Sequence, residues 1–388
     1  MDFLTDYINE VKQHDLYRAL VSYQPLDAVH VESQGQRYLL LATNNYLGLT
    51  HSLAVKKAAM IAVEQYGTGS GGARLTTGSH PLYEKLEQQL ALFKGTEAAL
   101  IFNTGYMANV GIISALVNKN DVVFSDELNH ASIIDGCRLA KGQTVVYRHT
   151  DMAHLAEVLE NTPCQGQRLI VTDGVFSMDG DIAPLDQIVL LAEKYQAMVM
   201  VDDAHAVGVL GRGGRGTVDY FGLKGRVHIQ VGTLSKSLAS EGGYVAGSQT
   251  LIDYLVNKSR SFIFSTALSP GTVAAGYAAL KELQARPELV DKLRHNGDYV
   301  RKALVAAGLQ IDGALTPIIP IVVGEAAVAE EMAQQLKEQG LIVSAIRPPT
   351  VMPGKSRLRL TVSAAHDKAD LVRTVEIIIA VSKGLKLI

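Results

Sequence analysis

The sequence predicts an α/β protein in which a large, mainly parallel-sheet domain is followed by a smaller α+β C-terminal domain. Three observations carry that prediction. Short β-branched or apolar runs recur at residues 99–102, 122–124, 145–147, 169–172, 198–201, 229–232 and 244–246, as buried strands do. Most intervals between them are long enough for a helix, and strands alternating with helices make βαβ units around a parallel sheet. Near residue 270 the rhythm changes to a long helical region and then to more widely spaced strands.

Residues 1–20 are expected to form an amphipathic helix, because Phe3, Leu4, Tyr7, Ile8 and Val11 fall at helical spacing. After a polar stretch with Gly35, the run Tyr38, Leu39, Leu40, Leu41 reads as a compact strand. Residues 81–95 predict the clearest helix: Pro81 stands at its start, Gly95 just past its end, and Leu82, Leu86, Leu90 and Phe93 line one stripe. Further on, 317–323 reads as a strand and 330–339 as a helix closed by Gly340. Strands at 341–346 and 357–362 and a last helix follow. The expected division is an N-terminal helix and strand segment (1–45), a large domain (46–280) and a small domain (281–388).

Composition narrows the function classes. Thirty-six basic side chains against 39 acidic ones, for a net charge of −3, leave no basic face for nucleic acid. No apolar run approaches the roughly 20 residues that span a bilayer, and the opening MDFLTDYINEVKQHD is polar. Neither a membrane segment nor a signal peptide is expected. Two cysteines, Cys137 and Cys164, are too few for a disulfide scaffold or a thiolate zinc site. The expectation is a soluble, cytoplasmic protein.

Parallel sheets hold ligands outside the carboxyl ends of their strands, so the residues just after each apolar run are the candidates. After 198–201 come Asp202, Asp203, Ala204 and His205, costly at the end of a buried strand unless paired or used. No HExxH and no close His/Cys spacing accompanies them, so a metal centre is not expected. After 229–232 come Thr233, Leu234, Ser235 and Lys236. This lysine is either a helix-start residue reaching for solvent or an amine kept partly neutral by desolvation and able to attack a carbonyl.

Three more strand ends are polar. The stretch from Asp173 to Gly180 holds Ser177 and Asp179 among small residues. His130 follows 122–124 and reads as a capping or core histidine, or as a ring stacking on a flat ligand. Asn103, Thr104, Gly105 and Tyr106 open a helix, and a small hydroxyl with glycine at a helix N-terminus makes a phosphate seat because free N–H groups point outward there. Five polar strand ends in succession make one constellation on one sheet edge.

Two glycine-rich stretches stand apart from it. GRGGRG (211–216) spells G-x-G-x-x-G but is not directly strand–turn–helix, holds two arginines and lacks the later acid of a dinucleotide site. It reads as an exposed turn. GTGSGGARLTTG (67–78) lacks the Gly-Lys-Ser/Thr ending of a P-loop and reads as a flexible loop.

A Schiff-base lysine, a pyridinium-pairing aspartate, a stacking aromatic and a phosphate seat are together what pyridoxal 5′-phosphate (PLP) needs. The order of His130, residues 202–205 and Lys236 resembles the α-oxoamine synthase family of fold-type I PLP-dependent transferases. NNYLGL (44–49), FSDELNHAS (124–132), TDGVFSMDGD (172–181), VDDAHAVGVLG (201–211) and TLSKS (233–237) resemble that family's motifs in the same order. The resemblance covers essentially the whole chain. AIRPPTVMPGKSRLRLTVSAAH (345–366) is most similar to the 8-amino-7-oxononanoate synthase branch.

The resemblance implies roles at matching positions. Lys236 would hold the cofactor and then move the proton at the substrate Cα. Asp202 would pair with the pyridine N–H⁺, His205 would hydrogen-bond the phenolic O3′, and His130 would stack on the ring. Ser177 would touch the cofactor from the same rim, and Thr104, Gly105, Tyr106 and Thr233 would seat its phosphate. Ser265 and Thr266 match a segment that reaches the phosphate from the neighbouring subunit, which implies a homodimer with shared active sites. Either Arg359 or Arg347 would bind the substrate carboxylate, and Asn44 and Arg18 match positions facing the acyl substrate or the amino acid. Asp173 replaces a glutamate of some members and Ala206-Val207 a more usual pair; neither removes a catalytic group.

The implied reaction joins L-alanine to a pimeloyl thioester, carried by CoA or an acyl carrier protein. Carbon dioxide and the thiol are released with 8-amino-7-oxononanoate, a step of biotin biosynthesis. Sister enzymes such as glycine C-acetyltransferase, serine palmitoyltransferase and 5-aminolevulinate synthase share the cofactor core and differ in amino acid and acyl chain.

Overall fold

The computed structural model describes residues 2–13 and 17–388. It opens with α1 (Asp2–Gln13), whose Phe3, Leu4, Tyr7 and Ile8 are all exposed. The helix predicted over 1–20 is therefore shorter: 14–16 lie outside the described residues, and 17–20 have no regular structure. A helix with no buried face has no packing to extend it. The strands β1 (Gln24–Pro25), β2 (His30–Ser33) and β3 (Gln36–Leu40) then form an antiparallel meander. Gln34 and Gly35 turn between β2 and β3 with φ of 52° and 75°, the left-handed pair that a two-residue hairpin turn requires.

After α2 (Leu53–Tyr66) comes α3 (Pro81–Lys94), with Pro81 at its first position and Gly95 as a left-handed cap at φ 70°. Then follow β4 (Ala98–Phe102), α4 (Gly105–Leu116), β5 (Val122–Asp126), α5 (Ala131–Leu139) and β6 (Gln143–Tyr147). The sheet is completed by β7 (Arg168–Asp173), β8 (Ala197–Asp202), β9 (Ile229–Thr233) and β10 (Gly243–Gly247). Its seven strands lie in the order β4-β10-β9-β8-β7-β5-β6. The β5–β6, β5–β7, β7–β8 and β8–β9 pairs are parallel, and only β10 runs against its neighbours. The reason is the connection: residues 234–242, which carry Lys236, are too few for the helical crossover that a parallel return needs.

Both faces of this sheet are covered. Ile101, Tyr244 and Ala246 pack with Leu86 and Leu90 of α3 and with Val273 and Leu280. On the other face Phe102, Val123, Leu169, Met200 and Val231 pack with Ile112 and Ile113 of α4. That three-layer arrangement explains why the strands read as continuous apolar runs.

The C-terminal part carries its own sheet, β11-β14-β13, made of β11 (Ile318–Gly324), β13 (Ser344–Ile346) and β14 (Ser356–Thr361). Between β11 and β13, β12 (Leu341–Ile342) pairs in parallel with β3, so Leu341 faces Leu39 and Ile342 faces Leu40. The single strand predicted over 341–346 is thus two strands in two sheets, parted at Val343. Val29, Leu39 and Leu41 share one core with Val300, Leu341, Leu358, Leu360 and Ile378. No helix among the described residues is long and apolar enough to cross a membrane.

Candidate active site

The parallel strands end on one edge of the main sheet, and the polar residues that follow them meet there. The central contact joins two of them. Lys236 Nζ lies 2.7 Å from His205 Nε2, and His205 Nδ1 lies 2.7 Å from the hydroxyl of Tyr46. Burial lowers the Lys236 amine to about 8, against the pull of Asp202 and Asp173. Burial, with the charges of Lys236 and Arg359, pushes His205 well below its ordinary range. Both groups are held toward their neutral forms.

Tyr46 leads on to an arginine. Its hydroxyl is 3.3 Å from Asn44 Oδ1, and Arg359 Nη2 donates to Asn44 Oδ1 at 3.2 Å and to the Tyr46 oxygen at 3.5 Å. Arg359 also donates from Nε to the Ser177 carbonyl. It is 6 % exposed, and no ion pair to a carboxylate is found for it among the described residues. A buried guanidinium served only by neutral acceptors keeps its charge available to an anion. Arg347 is placed differently: it pairs with Glu330 at 2.7 Å.

Asp202, buried at the end of β8, accepts from Asn109 Nδ2 at 2.6 Å and from the amide of Ala204 at 2.9 Å. Asn109 Nδ2 also reaches Ser132 Oγ at 2.9 Å, and Ser132 Oγ is 2.7 Å from His130 Nδ1. His130 caps α5, its ring nitrogen accepting from the Ser132 amide at 3.2 Å, while its own amide donates to Asp173 at 2.9 Å. The capping alternative for His130 is therefore realised, and it leaves the residue exposed on the site edge. Burial and the neighbouring Asp202 raise the Asp173 carboxyl well above its ordinary range.

Thr104 caps α4, accepting from the Met107 amide at 3.0 Å. A side chain added at Gly105 would meet Thr233 at 3.5 Å, so the first turn of α4 abuts the end of β9. Thr233 donates to the Gly242 carbonyl at 2.8 Å and lies 2.6 Å from Ser235 Oγ. Tyr106 is half exposed and bonds Asp135. Within the chain, the Thr266 carbonyl accepts from Asn103 Nδ2 at 2.6 Å and Ser265 Oγ donates to the Ser261 carbonyl at 2.7 Å. Arg18 is exposed, and no bond joins it to the cluster among the described residues.

Several functional contacts escaped sequence reasoning. Tyr46 sits within NNYLGL, but nothing in the motif points it at a histidine 159 positions away. Asn109 was detectable as the lone amide in an otherwise apolar helix, GYMANVGIISAL. Lys94, just before the Gly95 cap, reads as a surface lysine; instead it is fully buried, 2.7 Å from Asp203 and 2.6 Å from the Arg215 carbonyl. Asp203 further accepts from Thr217 Oγ1 at 2.5 Å. This second aspartate therefore anchors the 211–217 segment, and GRGGRG is not simply an exposed turn: Gly214 and Gly216 are buried.

A sixth strand end also contributes. His149, just past β6, is 2.9 Å from Asp126 through Nδ1 and 2.9 Å from Asp181 through Nε2, bracing the loops that carry His130 and Ser177. No three His, Cys, Asp or Glu side chains form a metal-ligand group among the described residues.

The donor set suits PLP. Asp202 offers a buried carboxylate for a ring N–H⁺, His205 a nitrogen for a phenolic oxygen, and Lys236 a desolvated amine for the aldehyde. The start of α4 beside Thr233 offers N–H groups to a phosphate. Fold and site together define a fold-type I PLP-dependent enzyme. The chain belongs to the aminotransferase class I and II family, whose model matches residues 36–378, and within it to the α-oxoamine synthases. It is 47 % identical over 387 residues to an 8-amino-7-oxononanoate synthase of Bacillus velezensis, covering 100 % of this chain and 99 % of that one. Serine palmitoyltransferase from S. paucimobilis, solved with PLP and myriocin bound, superimposes with a TM-score of 0.95 at 33 % identity, covering 100 % of this chain and 98 % of that one. An 8-amino-7-oxononanoate synthase from Francisella tularensis aligns with a TM-score of 0.76 at 29 % identity, over 90 % of this chain and 99 % of that one. The chain is a PLP-dependent acyltransferase.

Proposed function

We propose that the protein condenses L-alanine with a pimeloyl thioester, on CoA or an acyl carrier protein, to give 8-amino-7-oxononanoate, carbon dioxide and the free thiol. The observation that carries the chemistry is the buried, carboxylate-free Arg359 linked through Tyr46 to His205 and Lys236. The branch rests on the 47 % identity over the full chain to an enzyme of that name. In this reading the protein is a cytoplasmic enzyme of biotin biosynthesis.

The bound cofactor supplies an electron sink for the pair left on the amino acid Cα. Asp202 keeps the pyridine nitrogen protonated, and Asn109 holds that carboxylate in place. Arg359 and Asn44 receive the amino acid carboxylate, and Ser177 fixes Arg359 through its carbonyl. Lys236, with an amine lowered to about 8, takes the Cα proton and returns a proton to that carbon after carbon dioxide has left. His130, at the α5 cap, would lie against the ring, and Thr104, Gly105, Tyr106 and Thr233 would hold the phosphate. Arg347, held by Glu330, is the second candidate for the amino acid carboxylate. Ser265 and Thr266 would complete the phosphate site of the partner in a homodimer.

Competition assays read by mass spectrometry test this function. Enzyme and PLP are mixed with glycine, L-alanine, L-serine and L-threonine and with acetyl-, succinyl-, pimeloyl- and palmitoyl-CoA. A dominant mass for 8-amino-7-oxononanoate is expected. A different amino ketone would keep the residue roles and move the chain to a sister branch. Serine palmitoyltransferase is the second reading, favoured by the TM-score of 0.95.

A further inference from the structure

We propose that Tyr46 is a positioning residue that couples filling of the Arg359–Asn44 seat to the tautomer of His205. This rests on the reading above that the seat takes the substrate carboxylate.

Tyr46 is 0 % exposed and has one hydroxyl proton with two acceptors in reach: Asn44 Oδ1 at 3.3 Å and His205 Nδ1 at 2.7 Å. Burial raises its pKa, so the proton stays on. His205 is held neutral by burial and by the charges of Lys236, Arg359 and His130 around it, and a neutral imidazole carries its proton on one nitrogen only. When Tyr46 donates to Asn44, its oxygen accepts from His205 Nδ1–H and Nε2 is left as an acceptor. When Tyr46 donates to Nδ1, Nε2 becomes the donor, facing the position now taken by Lys236 Nζ.

The seat controls that choice. Asn44 Oδ1 also accepts from Arg359 Nη2. A carboxylate drawing Arg359 and the Asn44 amide toward itself removes the Asn44 acceptor from Tyr46, and the hydroxyl proton turns to His205. The backbone suits this role. The Tyr46 carbonyl accepts from the Ala364 amide at 2.7 Å and from Ser363 Oγ at 3.2 Å, just beyond the strand that carries Arg359. The Tyr46 ring meanwhile meets His205 edge-on, with centroids 6.1 Å apart. One residue thus touches the carboxylate seat and the cofactor edge.

The test uses the PLP-loaded enzyme and the pH midpoint of its visible absorption band without amino acid. Tyr46→Phe removes the donor to Nδ1, and Asn44→Ala removes the competing acceptor. The two are expected to move the midpoint in opposite directions, each by more than about half a unit. With substrates, Tyr46→Phe should lower kcat at least about tenfold while L-alanine affinity, read from the same band, stays within about threefold. Movement in the same direction, or a midpoint and kcat both unchanged in Tyr46→Phe, overturns the coupling. A loss of L-alanine affinity with kcat unchanged also overturns it and makes Tyr46 part of the seat alone. Unchanged L-alanine affinity in Arg359→Gln overturns the seat itself, while the ligand-free midpoints still report on the Tyr46–His205 link.

Discussion

Lys236 and His205, 31 positions apart in sequence, face each other at 2.7 Å through Nζ and Nε2. Two basic groups at that distance cannot both carry charge in a buried site, because their repulsion adds to the cost of desolvation. Burial lowers both: the amine to about 8, with Arg359 adding to it, and the imidazole, beside the Lys236 charge, well below its ordinary range. A larger share of this amine is therefore neutral near neutral pH than of an exposed lysine.

That lowering gives the first prediction. The rate at which cofactor-free protein captures PLP, followed as borohydride-fixed attachment to Lys236, should rise through pH 8 and level off above it. The sign follows from nucleophilicity belonging to the neutral amine, which is the majority form above its pKa. A rate still climbing steeply between pH 9 and about 10.4, as for an ordinary lysine, would contradict the buried environment of Lys236.

Asp202→Asn should lower kcat by at least about 100-fold, roughly 2.7 kcal/mol. The neutral amide cannot hold a proton on the cofactor nitrogen, although Asn109 and the Ala204 amide still surround it. Steady-state turnover with L-alanine is the measurement. A rate within about threefold of the parent, ~0.7 kcal/mol, refutes the assigned role.

The two arginines should separate cleanly. Arg359→Gln removes a buried cation with only neutral acceptors, so kcat/KM for the amino acid should fall by about 10²-fold, as expected for a charge-assisted bond in a dry site. Arg347→Gln breaks a partly exposed pair with Glu330 and should leave the amino acid KM within about threefold. Equal losses in both variants would mean that each contacts the carboxylate.

His149 links stability to pH. Burial alone would lower its pKa, but the hydrogen bonds and charges of Asp126 and Asp181 outweigh that and raise it to about 10. The raised value means that the stabilisation is fully present below the unfolded value of about 6.5 and is lost as pH rises toward 10. His149→Asn should cost about 2 kcal/mol at pH 6, and its Tm should approach that of the parent by pH 10. A Tm difference that stays constant from pH 6 to 10 would rule out the ionised bridge.

Much of this was legible in the sequence for one physical reason. Co-directional strands bring their carboxyl ends to one edge, so Thr104, His130, Ser177 and His205 could be read as neighbours from the apolar runs before them. Lys236 was legible in the same way, at the end of β9. Contacts between sheets were not legible. Tyr46 reaches His205 from outside the main sheet, and Arg359 reaches Asn44 across 315 positions, without periodicity to announce either. The burial of Lys94 was hidden because a lysine before a helix-capping glycine is ordinarily solvated. The split of 341–346 was hidden because one extended run satisfies the same pattern whether its edges bond one sheet or two.

The pairing of β3 with β12 bears on how the chain is made. Leu39 is translated early, yet its partner Leu341 follows some 300 residues later, which at about 5–20 residues per second is tens of seconds of synthesis. All seven strands of the main sheet precede β12, so the edge of the nascent meander stays bare long after they have been made. The backbone of Asn45 and Tyr46, a few residues past β3, likewise waits for Ser363, whose hydroxyl bonds both carbonyls. A ribosome stalled before Leu341 would display every strand of the main sheet but not Arg359, and so no complete Arg359–Asn44 pair.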